Sequence, residues 1–227
     1  VLVQLHTRAA QIREDYLDDV RSAIGHYERV LSVDPQNVDA VNALERAYQA
    51  SSQYRELANV FLAKADLLSE PDAQRQYLFR AAMLHEEVLD QPEAAIEVYE
   101  RALRVDSDDL TALGKLAQLY QGQQNWDKLL HVYGRMTDVV SEPDEKKRLH
   151  LEKGAIYERE LGQRDKAIET YQRVLDIDPD DATALSRLDA LYEQDGRAEE
   201  LLSVLEREAD LAGDESQALG LRYRIGE

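Results

Sequence analysis

One stretch of this chain is written three times. AIGHYERVLSVDPQNVDAV starts at Ala23, AIEVYERALRVDSDDLTAL at Ala95 and AIETYQRVLDIDPDDATAL at Ala167, so the copies recur at one fixed interval without slippage. A fixed period marks structural units that stack on their neighbours. It overrides what length alone suggests, since 227 residues would otherwise read as one or two ordinary cores.

Within each copy the apolar residues recur at spacings of three and four, which lines one face of a helix, and strict alternation is absent. Ala95, Ile96, Tyr99, Ala102, Leu103 and Val105 form such a face, and the same columns hold Ala23, Ile24, Tyr27, Val30, Leu31, Val33 and Ala167, Ile168, Tyr171, Val174, Leu175, Ile177. The five prolines, at 35, 71, 92, 143 and 179, fall where one periodic segment stops and the next begins, because proline suits a turn or a first helical turn and breaks an interior. Ser69 and Ser141, each with an aspartate three residues on, are expected to cap the helices that follow. Helices are expected to start near residues 3, 20, 38, 54, 72, 92, 110, 126, 144, 164, 182, 197 and 215. Short joints make neighbours antiparallel. One hairpin cannot cover its own apolar faces, so the expectation is an all-α fold: a single α-solenoid over 1–227, of six helix pairs and a truncated final helix, with a 72-residue double-hairpin period.

Leu116, Ala117, Tyr120, Trp126, Leu129 and Tyr133 resemble the tetratricopeptide pattern, as do Gly154, Tyr157, Gly162, Ala167, Tyr171 and Pro179 with the closing LDIDPDD. The small first-helix position is read at Glu45, Ala82 and Ala117, at spacings slightly longer than that family's unit, and the extra residues are assigned to joints. The resemblance covers the whole chain. It implies a right-handed superhelix whose first helices line a concave groove that receives extended or helical segments of partner proteins.

The charge balance, 27 Lys+Arg against 46 Asp+Glu for a net −19, repels phosphate backbones, so no nucleic acid is expected as a partner. The chain has no cysteine, which excludes disulfides and thiolate metal sites and suits both cytoplasm and periplasm, the former favoured. No apolar run approaches the roughly 18 residues of a membrane span, and the opening VLVQLHTRAAQIRE is too soon charged for a signal peptide. LRYRIGE stops in mid-helix, which fits a piece of a longer, bacterial-type array.

Two tyrosine columns, Tyr48, Tyr120, Tyr192 and Tyr27, Tyr99, Tyr171, coincide with stacking positions and are assigned to the core rather than to a ligand. The histidines at 6, 26, 85, 131 and 150 share no metal-ligand spacing, and HEEVL at 85 lacks the second histidine of a zinc helix. The many carboxylates are assigned to solvated helix faces. No nucleophile or phosphate loop stands out, so neither enzyme nor cofactor is expected. Arg29, Arg101 and Arg173 suit helix C-termini and are read as structural. The first-helix column Arg8, Arg80, Glu152, Arg224, with Lys115 and Arg187 at the matching phase, is a basic stripe in an acidic chain. It points either to a groove that attracts acidic or carboxylate-bearing segments or to pairing with acids one helical turn away. The carboxylate clamp of some family members is not reproduced, because its positions hold Asn42 and Arg46, then Gly114 and Gln118. The expectation is a non-enzymatic scaffold that binds partner proteins through Arg8, Asn42, Arg46, Arg80, Lys115, Gln118 and Arg187. End-to-end self-assembly, and service as a docking arm of a longer enzyme or secretion or motility protein, stay open.

Overall fold

A computed structural model describes residues 1–226; the final Glu227, which the reading of LRYRIGE included, lies outside them. The described residues form thirteen α-helices and no strand: α1 Leu2–Leu17, α2 Val20–Val33, α3 Val38–Ala50, α4 Tyr54–Leu67, α5 Pro71–Met83, α6 Pro92–Val105, α7 Leu110–Gly122, α8 Trp126–Val139, α9 Pro143–Ala155, α10 Arg164–Ile177, α11 Ala182–Asp195, α12 Ala198–Leu211 and α13 Glu215–Gly226. Every start lies within one residue of its expected place. Periodicity and proline are local signals, and here they coincide with the joints.

The chain packs as two compact units, Val1–Leu119 and Tyr120–Glu227. In the first, α1 packs on α2, α2 on α3, α3 on α4, α4 on α5 and α5 on α6; in the second, α9 through α13 follow the same rule, each helix against the next. Each unit is therefore a stack of antiparallel hairpins, an α-solenoid whose core runs along the stack. Both tyrosine columns are buried: Tyr27, Tyr48 and Tyr99 in the first unit, Tyr120, Tyr171 and Tyr192 in the second. Around Tyr171 the core gathers Ile168, Val174, Leu185, Leu188 and Leu191.

The joints repeat as strictly as the cores. Asn37, Asp109 and Asp181, one column of the repeat, each accept a backbone N–H of the helix they open, from Ala40, from Thr111 and Ala112, and from Ala184. The serine caps are corrected. Glu70 and Glu142 occupy the capping positions without a side-chain hydrogen bond, and Pro71 and Pro143 stand first in their helices. Proline brings no N–H to satisfy there and sets φ for the helix, so Ser69 and Ser141 fall one residue too early to cap. First helices leave through a left-handed residue at Asp18, Ser52, Asp90, Gln124, Gly162 and Gly196. Before two of these, five-residue π-turns, Leu84–Val88 and Ile156–Glu160, prolong α5 and α9.

Candidate functional site

The π-turns carry the side chains that tie the stack together. Glu86 and Glu158 sit in them, and Glu14 stands in the same column of α1. The tyrosine from the following helix donates its hydroxyl to each: Tyr27 to Glu14 at 3.0 Å, Tyr99 to Glu86 at 2.8 Å and Tyr171 to Glu158 at 2.8 Å. Burial, then the neighbouring glutamate, pushes Tyr27 up to about 12 and raises Tyr99 and Tyr171 as well. The phenols therefore stay protonated as donors.

Each of these glutamates also receives a cation from the next first helix. Arg46 of α3 reaches Glu14 at 3.9 Å, Lys115 of α7 reaches both oxygens of Glu86 at 3.2 Å, and Arg187 of α11 reaches Glu158 at 3.7 Å. Lys115 and Arg187 stand one repeat apart; in the first copy their column holds Ala43 and the arginine sits one turn on. Arg80 of α5 pairs with Glu45 of α3 at 3.1 Å, and Arg224 of α13 grips Asp189 of α11 at 2.7 and 2.8 Å. Apart from Arg8, the cations of the stripe are thus paired with acids of the preceding first helix in the stack, not with acids one turn along their own helix.

Arg80 is the most elaborated of these positions. Its guanidinium lies 4.0 Å from the centroid of Phe61 and 5.2 Å from that of Tyr77, and its partner Glu45 also binds Lys64, so one carboxylate serves two cations. Its side chain keeps 43% of its surface exposed. Glu45 is therefore not the small stacking residue of its column. Arg46 is 66% exposed, Arg8 is exposed with no ion pair among the described residues, Asn42 is half-buried, and Gln118 is exposed. The first unit holds six of the seven predicted residues and the second holds Arg187.

A second set of pairs holds the turns. Arg75 spans Asp106 at 2.6 Å and Asp109 at 3.2 Å, and one repeat further along Lys147 spans Asp178 at 2.8 Å and Asp181 at 3.2 Å. In the first copy Val3 takes the cation's column, and the Asn37 amide donates to Asp34 instead. The acids of the DPDD turn are joints. Assigning the carboxylates in general to solvated faces missed these two columns, although their recurrence from copy to copy was visible.

No group of three or more His, Asp or Glu that could hold a metal exists among the described residues. His6 and His26 face each other, Nδ1 to Nδ1 at 3.0 Å, and His85 pairs with Gln91 at 3.1 Å. His150 is buried with Nδ1 unpartnered, and burial with nearby Lys153 depresses its pKa. No described helix is long and apolar enough to cross a membrane.

Two family models match the chain, a tetratricopeptide repeat at residues 76–109 and a TPR repeat at 154–196. No curated protein matches it. Among solved structures it is similar to the MamA protein, at 20% identity over 80% of this chain and 94% of that one, TM-score 0.41. YrrB, described as a TPR protein with an unusual peptide-binding site, gives 19% over 80% and 89% with TM-score 0.40. BtubC (BKLC) from P. vanneervenii gives 18% over 94% and 92% with TM-score 0.42.

Proposed function

We propose that this chain, which carries tetratricopeptide repeats, is a protein–protein interaction scaffold that holds a partner's segment on the face of its successive first helices and does no chemistry of its own. One observation carries the reading. The large residues that stack are buried, whereas α3, α5 and α7 keep Arg46, Arg80, Met83 and Gln118 exposed on first helices, Arg46 and Arg80 offering much of their side chains to solvent even where they pair with the neighbouring first helix. Arg80 is already ordered by Phe61 and Glu45, so little side-chain freedom remains to be lost on binding.

The partner segment is acidic or ends in a carboxylate. Two features favour this: Glu45 leaves one positive charge uncompensated between Lys64 and Arg80, and Arg8 has no acid beside it among the described residues. Each exposed charge contributes only about 0.2–1 kcal/mol, so the test reverses three together, Arg80→Glu, Lys115→Glu and Arg187→Glu. Binding of a captured partner should fall and association should slow, and salt should imitate the change. Reversing Arg29, Arg101 and Arg173 is the control; equal loss from both triples sinks the assignment.

A second reading, contact between copies of the chain, is favoured by Leu2, Leu5 and Tyr16 of α1, which are 54%, 63% and 76% exposed. Light scattering that stays monomeric at high concentration removes it.

A further inference from the structure

Three internal copies make the chain its own control. Columns that stacking dictates stay constant, so a cluster of positions that all change together in one copy needs another cause. Such a cluster lies where the first helix turns into the second. Residues 14–22 of the first copy hold four acids, Glu14, Asp15, Asp18 and Asp19, against Arg21, and residues 86–94 of the second hold Glu86, Glu87, Asp90 and Glu93 with no base. The third copy differs. Arg159 replaces Asp15 and Glu87, Gly162 replaces Asp18 and Asp90, Arg164 replaces Val20 and Pro92, and Lys166 replaces Ser22 and Ala94. Each of these four changes moves the segment toward positive charge in a chain of net −19, while Glu160 replaces Tyr16 and Val88 and Asp165 replaces Arg21 and Glu93.

The structure gathers these residues around a cleft of the second unit, between the α9–α10 turn and the end of α11, lined also by Gln163, Leu191 and Gln194 and by the acids Glu158, Asp165 and Asp195. Two cations there are internal links: Arg164 meets Asp195 at 3.4 Å, and Arg197, where the other copies have Gln53 and Asn125, meets Asp165 at 2.5 Å. Arg159 and Lys166 are different. Both are exposed and neither has an ion pair among the described residues; Lys166 only lies over the Tyr157 ring, at 5.5 Å. Glu160 is the single added acid without a cation on it among the described residues. Linking the hairpins therefore explains Arg164 and Arg197 and leaves Arg159 and Lys166 without a structural task.

We infer that this edge of the second unit is a docking surface for an acidic segment of a partner protein, with Arg159 and Lys166 as the contacting cations. It adjoins the first-helix face at Glu158, which lines the cleft and receives Arg187, but Arg159 and Lys166 take no part in that pairing. Leu191 and the Gln163 and Gln194 amides line the cleft beside the segment's backbone while Arg159 and Lys166 meet its carboxylates.

The probe is fluorescein-labelled octaglutamate, followed by polarisation at low salt, with an uncharged Gly-Ser octapeptide as control. The wild-type chain should bind the acidic probe, and R159E/K166A should weaken binding about tenfold or more. Glu and Ala stand at the same positions of the second copy, as Glu87 and Ala94, so the variant should fold, and its thermal melt checks this. R55E/R104E, at exposed second-helix positions of the first unit, makes the chain at least as negative without touching this edge and should bind within about twofold of wild type. Three results overturn the inference: no binding by the wild-type chain, R159E/K166A binding as wild type does, or R55E/R104E losing as much. Displacement by inorganic phosphate as effective as by unlabelled octaglutamate overturns the peptide assignment. The first-helix proposal stands or falls separately, on its own charge reversals.

Discussion

Glu14, Glu86 and Glu158 show how much one side chain can hold. Each accepts a tyrosine hydroxyl and a cation at once, so the aromatic core and the charged face are joined at one atom group. Tyr99→Ala should cost roughly 3–5 kcal/mol in urea denaturation, whereas Tyr99→Phe, which removes only the hydroxyl on Glu86, should cost about 1 kcal/mol. The columns also predict improvements. In the second copy His85 satisfies the Gln91 side-chain carbonyl; in the third Tyr157 replaces the histidine and the Gln163 Oε1 is buried without a partner. Tyr157→His should restore that bond and raise stability by about 0.5–1.5 kcal/mol. His150 occupies the column of Leu78, which is fully buried. Burial depresses the pKa of both His150 and His26, so the unfolded chain binds more protons as pH falls; their contribution is present above about pH 6.5 and is lost below it. His150→Leu should therefore stabilise the chain and flatten its melting temperature between pH 7 and 5, and an unchanged slope refutes the assignment.

Helices meet through small residues at fixed places. Ala10, Ala82 and Gly154 share a column, and at Gly154 the Tyr171 ring has moved into the space a methyl group would take: a Cβ there would lie 2.5 Å from the ring. Gly154→Ala, which restores the residue of the other two copies, should nevertheless destabilise by about 1–3 kcal/mol, because the buried Tyr171 ring would have to shift to admit the methyl group. Alanine stability equal to wild type would show that the ring can move. At the exits, Gly162 has φ of +61° where the other copies strain an aspartate, so Gly162→Ala should cost about 1 kcal/mol.

At the scale of the molecule, stacking makes each hairpin depend mainly on its neighbours, and the contacts divide at Leu119 and Tyr120. Trp126, the one tryptophan, reports from the second unit. Unfolding should be broad, and Tyr27→Ala, in the first unit, should shift the loss of helical circular dichroism more than the change in Trp126 fluorescence. Coincident shifts by both measurements would show one cooperative body instead.

The amino-acid sequence by itself determined the helix boundaries, the stacking columns and the repeat, because periodicity, proline and capping acids act over a few residues. Expectations that needed more than a few residues fared differently. The cap at Ser69 failed by one residue, since the proline and not the serine defines the first turn. The basic stripe was legible as a list of positions, but its partners were not: Arg80 of α5 meets Glu45 of α3, and Lys115 of α7 meets Glu86 beyond α5, separations along the chain that only stacked first helices bring within bonding range. Tertiary structure likewise decided which cations of the third copy are links and which are left over, Arg164 being held by Asp195 across a hairpin while Arg159 is not. Charge pairing depends on distance in space, and a repeat places the same residue types in every copy without stating which neighbour each one will meet.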